Sequence, residues 1–180
     1  MARKKAAAKT SGSVKPPAKR FTLVRDSREK AGQGWDFPAG EFWAGTEVRG
    51  LQTGDYTLVG YEHLFRVERK GSAGEFWGNL TNKTKWANFK AEMERLEEFP
   101  AAFLVLEFSM PDVVGFPKGL PWGVRRKMRV TRGYFLRRFL ELQMTYRTKV
   151  VMAGPEGREV FTSLTKRVVE RWPDPPPPPQ

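Results

Sequence analysis

Two carboxylates and a lysine lie close together in GDYTLVGYEHLFRVERK (54–70): Asp55, Glu68 and Lys70. Short β-type runs flank GYEH (60–63), so the segment reads as a hairpin. With GYEH as a four-residue turn, Val59 faces Leu64 and, further back, Asp55 faces Glu68. Directly opposed residues of an antiparallel pair point to one side, with Cβ atoms about 4.5–5.5 Å apart. Lys70, two residues beyond Glu68, shares that face. Opposed carboxylates repel, and a divalent cation between them would remove the cost. Oxygen donors in a chain with no Cys and one His select Mg²⁺ or Mn²⁺ over zinc. A cation held there polarises a phosphodiester, lowers the pKa of a bound water and neutralises developing charge. Lys70 could orient or deprotonate that water, or stabilise the transition-state phosphate. The plainer reading is a surface hairpin in which Asp55 opens a turn and Glu68, Arg69 and Lys70 are merely solvated. Spacing alone leaves the two nearly even.

Elements must hold these groups in place. FTLVR (21–25) reads as a first strand ending at Asp26, and residues 31–50 as an irregular loop rich in Gly and aromatics. After the hairpin, residues 85–98 place Trp86, Phe89, Met93 and Leu96 at helical spacing. AFLVLEF (102–108) is nearly continuously apolar, as a central strand is. A helix over about 131–146, a strand over 149–152 and a helix over 160–171 complete the pattern. That order predicts an α/β fold with a mixed central β-sheet flanked by α-helices. Its extent is one domain over 21–172, between a basic tail at 1–20, expected to be disordered, and a proline-rich tail at 173–180.

The charge balance names a class of partner. Thirty-two basic against 20 acidic residues give +12 and a pI near 10.2. Residues 1–20 carry +7 of this, so the remainder is itself basic at +5. Such a body with a basic arm points to a polyanion, nucleic acid first. Arg125, Arg126, Lys127, Arg129 and Arg132 form a run without an intervening acid beside Trp122, suited to phosphate contact. The alternative is a solvated loop and helix start. Trp35, Phe37, Phe42 and Trp43 could stack unpaired bases, although aromatic clusters in a chain of this size usually pack into the core. His63, in the hairpin turn, is expected to be solvated. No apolar run approaches the roughly 20 residues of a membrane span. Without Cys there are no disulfides, which fits an intracellular protein, in a bacterial or phage-infected cytoplasm or a eukaryotic nucleus.

GDY followed by ERK resembles the GDX(n)ERKX(3)D signature of XPF-type structure-specific nucleases, in the PD-(D/E)XK superfamily with its restriction-endonuclease-like fold. Asp26-Ser27-Arg28-Glu29 is similar to the family's D-x-R-E element, and EFWGNL (75–80) to its D-L-I-G-S-L segment. That last match needs a one-residue insertion after ERK and puts Glu75 where the family has Asp. LVLEF (104–108), ending near Glu107, resembles the strand after the family's first long helix. The resemblance implies metal ligation by Asp55 and Glu68 with Asp26 contributing, and Lys70 as the catalytic lysine. It also implies support from Arg28, Glu29 and Arg69, and supporting places for Glu75 and Glu107. It implies a Mg²⁺- or Mn²⁺-dependent endodeoxyribonuclease of DNA repair or recombination, without a small-molecule cofactor. The sequence holds no helicase region and no tandem helix-hairpin-helix module, so junction specificity and heterodimer pairing are not carried over. A core of this sort is expected in a phage, another virus or a plasmid, and a homodimer is compatible with it. Two alternatives stay open: an inactive nuclease-fold DNA-binding module, and an RNA-directed protein.

Overall fold

A computed structural model describes residues 19–29, 32–118, 122–126 and 131–175. Residues 1–18 and 176–180 of the two expected tails lie outside the described residues, as do Lys127 and Arg129 of the basic run.

Six strands form one sheet: β1 (Phe21–Asp26), β2 (Trp43–Arg49), β3 (Tyr56–Leu58), β4 (Phe65–Lys70), β5 (Ala101–Leu106) and β6 (Lys149–Met152). Their spatial order is β2-β1-β3-β4-β5-β6. The β1–β3 and β3–β4 pairs are antiparallel, whereas β1–β2, β4–β5 and β5–β6 are parallel. The sheet is therefore mixed, as expected.

The helices are α1 (Ala73–Thr81), α2 (Lys83–Leu96), α3 (Met110–Gly115), α4 (Trp122–Arg125), α5 (Arg132–Thr145) and α6 (Gly157–Arg171). Helices α1 and α2 are consecutive because Asn82 both ends one and caps the other. Its side chain accepts from the backbone N–H groups of Thr84 and Lys85, two of the donors a helix start leaves unpaired. Phe76, Trp77, Leu80, Phe89, Met93, Phe135 and Phe139 pack with Leu104 and Leu106 on one face of the sheet. Phe161 and Val168 of α6 pack on the other, against Phe103, Val105, Trp35, Phe37 and Trp43. β5 lies between the layers, with all six residues buried, which explains its unbroken apolar run.

Several expectations are corrected. The segment read as an irregular loop contains β2, an edge strand whose last three residues are exposed. That one-sided burial hides it from a hydrophobic pattern. The segment EFWGNL, to which the sequence pattern assigns no element, belongs to α1, opened by the Ser72 side chain accepting from the Glu75 N–H. The hairpin connection spans residues 59–64, not four residues, with Val59 N–H donating to Thr22 of β1 and Tyr61 buried beneath the turn. His63 is half-buried, not solvated. Trp35, Phe37 and Trp43 do pack into the core around Phe161, as expected of an aromatic cluster in a chain of this size. Among the described residues no helix is long and apolar enough to cross a membrane.

Candidate active site

The register of β3 against β4 decides which side chains meet. Tyr56 pairs with Val67, so Asp55 stands opposite Glu68 despite the longer connection. Backbone bonds fasten Asp55 on both sides: its N–H donates to Val67 O at 2.8 Å, and its carbonyl accepts from Asp26 N at 2.8 Å. Gly54 precedes it with φ +72°, where a Cβ would lie 3.1 Å from Val67 O. Only glycine takes this path without strain, so the G of GDY sets the direction in which Asp55 leaves the strand.

Arg66, Glu68 and Lys70 alternate onto the α1–α2 side of β4, whereas Phe65, Val67 and Arg69 face the α6 layer. A cavity of about 720 Å³ opens at this end of the sheet, lined from the β1–β2 connection by Arg28, Glu29 and Gln33. The β3 and β4 ends add Gly54, Asp55, Glu68, Arg69 and Lys70, and the helical layer adds Ser72, Glu75 and Glu92.

The electrostatics of the cavity floor are unusual. Glu68 is 3% exposed and Lys70 6%. Lys70 Nζ donates to Glu68 Oε1 and lies 3.7 Å from Glu92 Oε2 and 3.9 Å from Glu75 Oε1. Glu68 Oε2 is buried with no hydrogen-bond partner, a costly condition for a carboxylate oxygen. Burial and the facing Asp55 carboxylate raise the Glu68 pKa well above its ordinary value. Burial likewise pushes Asp55 up to about 7, although the Arg69 N–H bonded to Oδ2 and the Lys70 charge oppose this. Burial works against the Lys70 ammonium, but Glu68 and Glu92 more than offset it and hold its pKa above normal. The floor thus couples two carboxylates that resist joint ionisation with a lysine that stays cationic.

The remaining sequence-predicted residues divide. Asp26 is 1% exposed and does not line the cavity. Both of its carboxylate oxygens are taken by Arg28: Nε donates to each at 3.1 Å, Nη2 to Oδ2 at 2.5 Å, and the backbone N–H to Oδ1 at 2.8 Å. Burial would raise the Asp26 pKa, but these bonds lower it. Asp26 therefore holds Arg28, with that arginine's side chain 70% exposed at the cavity rim, and both of its oxygens are engaged in doing so. Arg69 spans two acids, donating Nη1 to Glu29 at 3.2 Å and Nη2 to Glu107. Glu107 also accepts from Trp35 Nε1 at 2.6 Å, Trp35 N–H donates to Tyr56 Oη at 2.8 Å, and that hydroxyl reaches Glu29 at 3.3 Å. Glu107 lies away from the cavity, within 2.6 Å of where a Cβ on Gly157 would stand. Arg69 and Glu107 thus lock the strand ends to the 29–35 connection. Glu75 reaches the cavity from α1 with half of its side chain exposed.

Glu92, from α2, was not among the residues read from the sequence. It is one acid among four in AEMERLEE, and only its position three residues after the buried Phe89 separated it from the solvated ones. Of the basic run, Arg125, Arg126 and Arg132 are exposed, with Arg126 over the Trp122 ring at 5.0 Å. None of these three lines the cavity.

No protein-family model matches the chain, and no curated protein matches it in sequence. In structure it is similar to XPF from Aeropyrum pernix in complex with DNA, with a TM-score of 0.54 and 19% identity over 84% of this chain. The match spans 66% of the length of that other chain. The likeness shows the fold: a restriction-endonuclease-like mixed sheet flanked by helices, as the ERK-containing motif implied.

Proposed function

We propose that this protein is a divalent-metal-dependent nuclease that hydrolyses DNA phosphodiester bonds, with Asp55, Glu68 and Lys70 at its centre. The observation that carries this is the floor of the cavity. Two facing carboxylates with raised pKa values, one oxygen of them buried without a partner, stand beside a lysine held cationic. Such an arrangement is unfavourable in isolation, and it is the kind of strain found at functional sites.

The donor set suits a hard cation that keeps most of its water. Among the described residues no three Asp, Glu, His or Cys side chains gather tightly enough to hold a metal ion by themselves. Mg²⁺ commonly makes do with one or two carboxylates, completing its shell with water and substrate phosphate. Asp55 and Glu68 supply those two, and Cys is absent from the chain. Bound there, Mg²⁺ or Mn²⁺ supplies Lewis acidity toward a phosphodiester and a water of lowered pKa.

The protein's own groups do the positioning. Lys70, because its ammonium stays charged, serves as a fixed donor to phosphate oxygen and not as the base. Arg28, fixed by Asp26 at the rim, reaches solvent where an entering phosphate would pass. Asp26 acts through Arg28, in place of the ligand role the resemblance implied. Arg69 keeps Asp55 aimed through its backbone N–H, 2.7 Å from Oδ2. DNA containing branches, flaps or single strands is the substrate class the motif resemblance favours.

The test is cleavage of labelled flap, fork, four-way, nicked and single-stranded DNA with Mg²⁺, Mn²⁺ or EDTA, beside RNA strands of matched sequence. Metal-dependent cutting of DNA is the expected result. Binding without cleavage of any substrate would make the protein a DNA-binding module, and preference for RNA would move its substrate class.

A further inference from the structure

Arg66 is the arginine the site just described does not use. It lies on β4 two residues before Glu68, on the same face, so about 7 Å back along the strand. It is 7% exposed, and its Nε and Nη1 are buried without a hydrogen-bond partner. No carboxylate forms an ion pair with it among the described residues. Its guanidinium sits over the Phe99 ring at 4.8 Å, and its stem lies against Gly54, whose added Cβ would be 3.6 Å from Arg66 Cδ. An unpaired buried guanidinium is costly, and Phe99 offsets only a small part of that cost.

Two further arginines hold the same short loop, residues 51–54, which runs directly into Asp55. Arg28 Nη2 donates to Leu51 O at 2.6 Å, and Arg95 Nε donates to Thr53 Oγ1 at 3.2 Å. Arg95 is exposed on α2 and, among the described residues, has no ion pair. The two acids that act on Arg66, Glu62 and Asp26, are already engaged, Asp26 by Arg28 and Glu62 by Arg49 at 2.6 Å. Positive charge around this loop is thus in excess and lies beside the cavity on the strand that carries Glu68. Guanidinium groups suit phosphate because their forked donors match its oxygens.

We propose that Arg66 and Arg95, flanked by Arg28, form a second phosphate subsite that grips the DNA strand one phosphate away from the one at Asp55 and Glu68. The proposal rests on the DNA-nuclease reading and gives it a direction, because the strand then runs from the cavity across residues 51–54 toward Phe99. Arg66 contributes a desolvated contact at the bottom, and Arg95 a solvated one at the edge.

The test is fluorescence anisotropy of a labelled single-stranded 20-mer in EDTA, titrated from 50 to 200 mM salt. The full chain is compared with Arg66→Met, Arg66→Lys, Arg95→Ala and the control Arg167→Ala on α6. Arg66→Met and Arg95→Ala should each lower the slope of log affinity against log salt by about 1. Each should also weaken binding by roughly tenfold at 50 mM salt. Arg66→Lys should keep most of the slope, and Arg167→Ala all of it. Slopes equal to wild type in Arg66→Met and Arg95→Ala would overturn the subsite. Should Arg66→Met fail to fold, Arg95→Ala, an exposed change, decides alone, and an unchanged slope overturns the proposal. Cleavage of a flap by wild type in Mg²⁺, run in parallel, separates this from the parent reading. Cleavage with unaffected slopes removes the subsite alone. Lost slopes without wild-type cleavage support the subsite and sink catalysis, and absence of both binding and cleavage overturns both.

Discussion

Replacing Asp55 by Asn removes a carboxylate that the fold ionises only at a cost, and the size of that cost can be worked out. Asp55 is pushed from an ordinary 3.8 to about 7, which corresponds to about 4 kcal/mol of destabilisation once pH exceeds both values. The sign follows from the raised value. The contribution is fully favourable below pH 4, where folded and unfolded forms are both protonated, and is lost as pH rises through about 7. Asn can keep the bond from the Arg69 N–H, but its amide nitrogen must find an acceptor beside Glu68, which offsets part of the gain. A net stabilisation of about 2 kcal/mol at pH 8 is expected, or roughly 4–8 °C in Tm for a domain of this size. At pH 5 the difference should nearly vanish. Mg²⁺ reverses the order, because a ligand bound only by the folded form stabilises it by mass action. Wild type should therefore gain Tm with 10 mM Mg²⁺ at pH 8, and Asp55→Asn should not. Thermal unfolding across pH, with and without Mg²⁺, is the assay. A variant less stable than wild type at pH 8 without metal would contradict the raised Asp55 pKa, and equal Mg²⁺ gains in both proteins would contradict a cation held by Asp55.

Three other outcomes follow from the same geometry. Single-turnover cleavage should rise with pH through a midpoint at or below about 7, and the midpoint should fall as Mg²⁺ increases, because proton and cation compete for one pair of carboxylates. Gly54→Ala forces a side chain onto φ +72° and toward Val67 O; it should cost about 1–2 kcal/mol in denaturant melts and depress cleavage more than DNA binding by displacing Asp55. Glu107→Gln strips Arg69 and Trp35 of their shared acceptor charge; it should lower stability by about 1–3 kcal/mol while leaving the salt slope of DNA binding unchanged.

Much of the fold was legible because its central part is strongly patterned. The apolar run of β5, the helical spacing of α2 and the turn between β3 and β4 each carry one period without conflict. The facing of Asp55 and Glu68 was legible for the same reason, and it survived a wrong turn length. The two extra connection residues, Val59 and Leu64, lengthen the turn by one on each side and so do not shift the ladder. What stayed hidden depends on partners distant in sequence or on choices between equivalent contacts. Asp26 as a metal ligand and Asp26 as the holder of Arg28 look identical in a string, since an Asp two residues before an Arg satisfies both. Glu92 is indistinguishable from its acidic neighbours until α2 is docked. Arg66 reads as the polar half of a strand alternation, yet it is buried, with its guanidinium under the Phe99 ring and its stem against Gly54. The strand β2 escaped because an edge strand with one wet side has no continuous apolar signal.

Asp55, Glu68 and Lys70 are proposed to act as one metal-dependent hydrolytic centre. Single-turnover cleavage of an end-labelled flap by wild type, Asp55→Ala and Lys70→Ala, each with Mg²⁺ and with EDTA, tests it most directly when DNA affinity is read from the same samples. Wild type should cleave with Mg²⁺ alone, and both variants should cleave at least about a hundredfold more slowly at near-normal affinity. Cleavage by wild type in EDTA, or wild-type rates from either variant, would contradict such a centre.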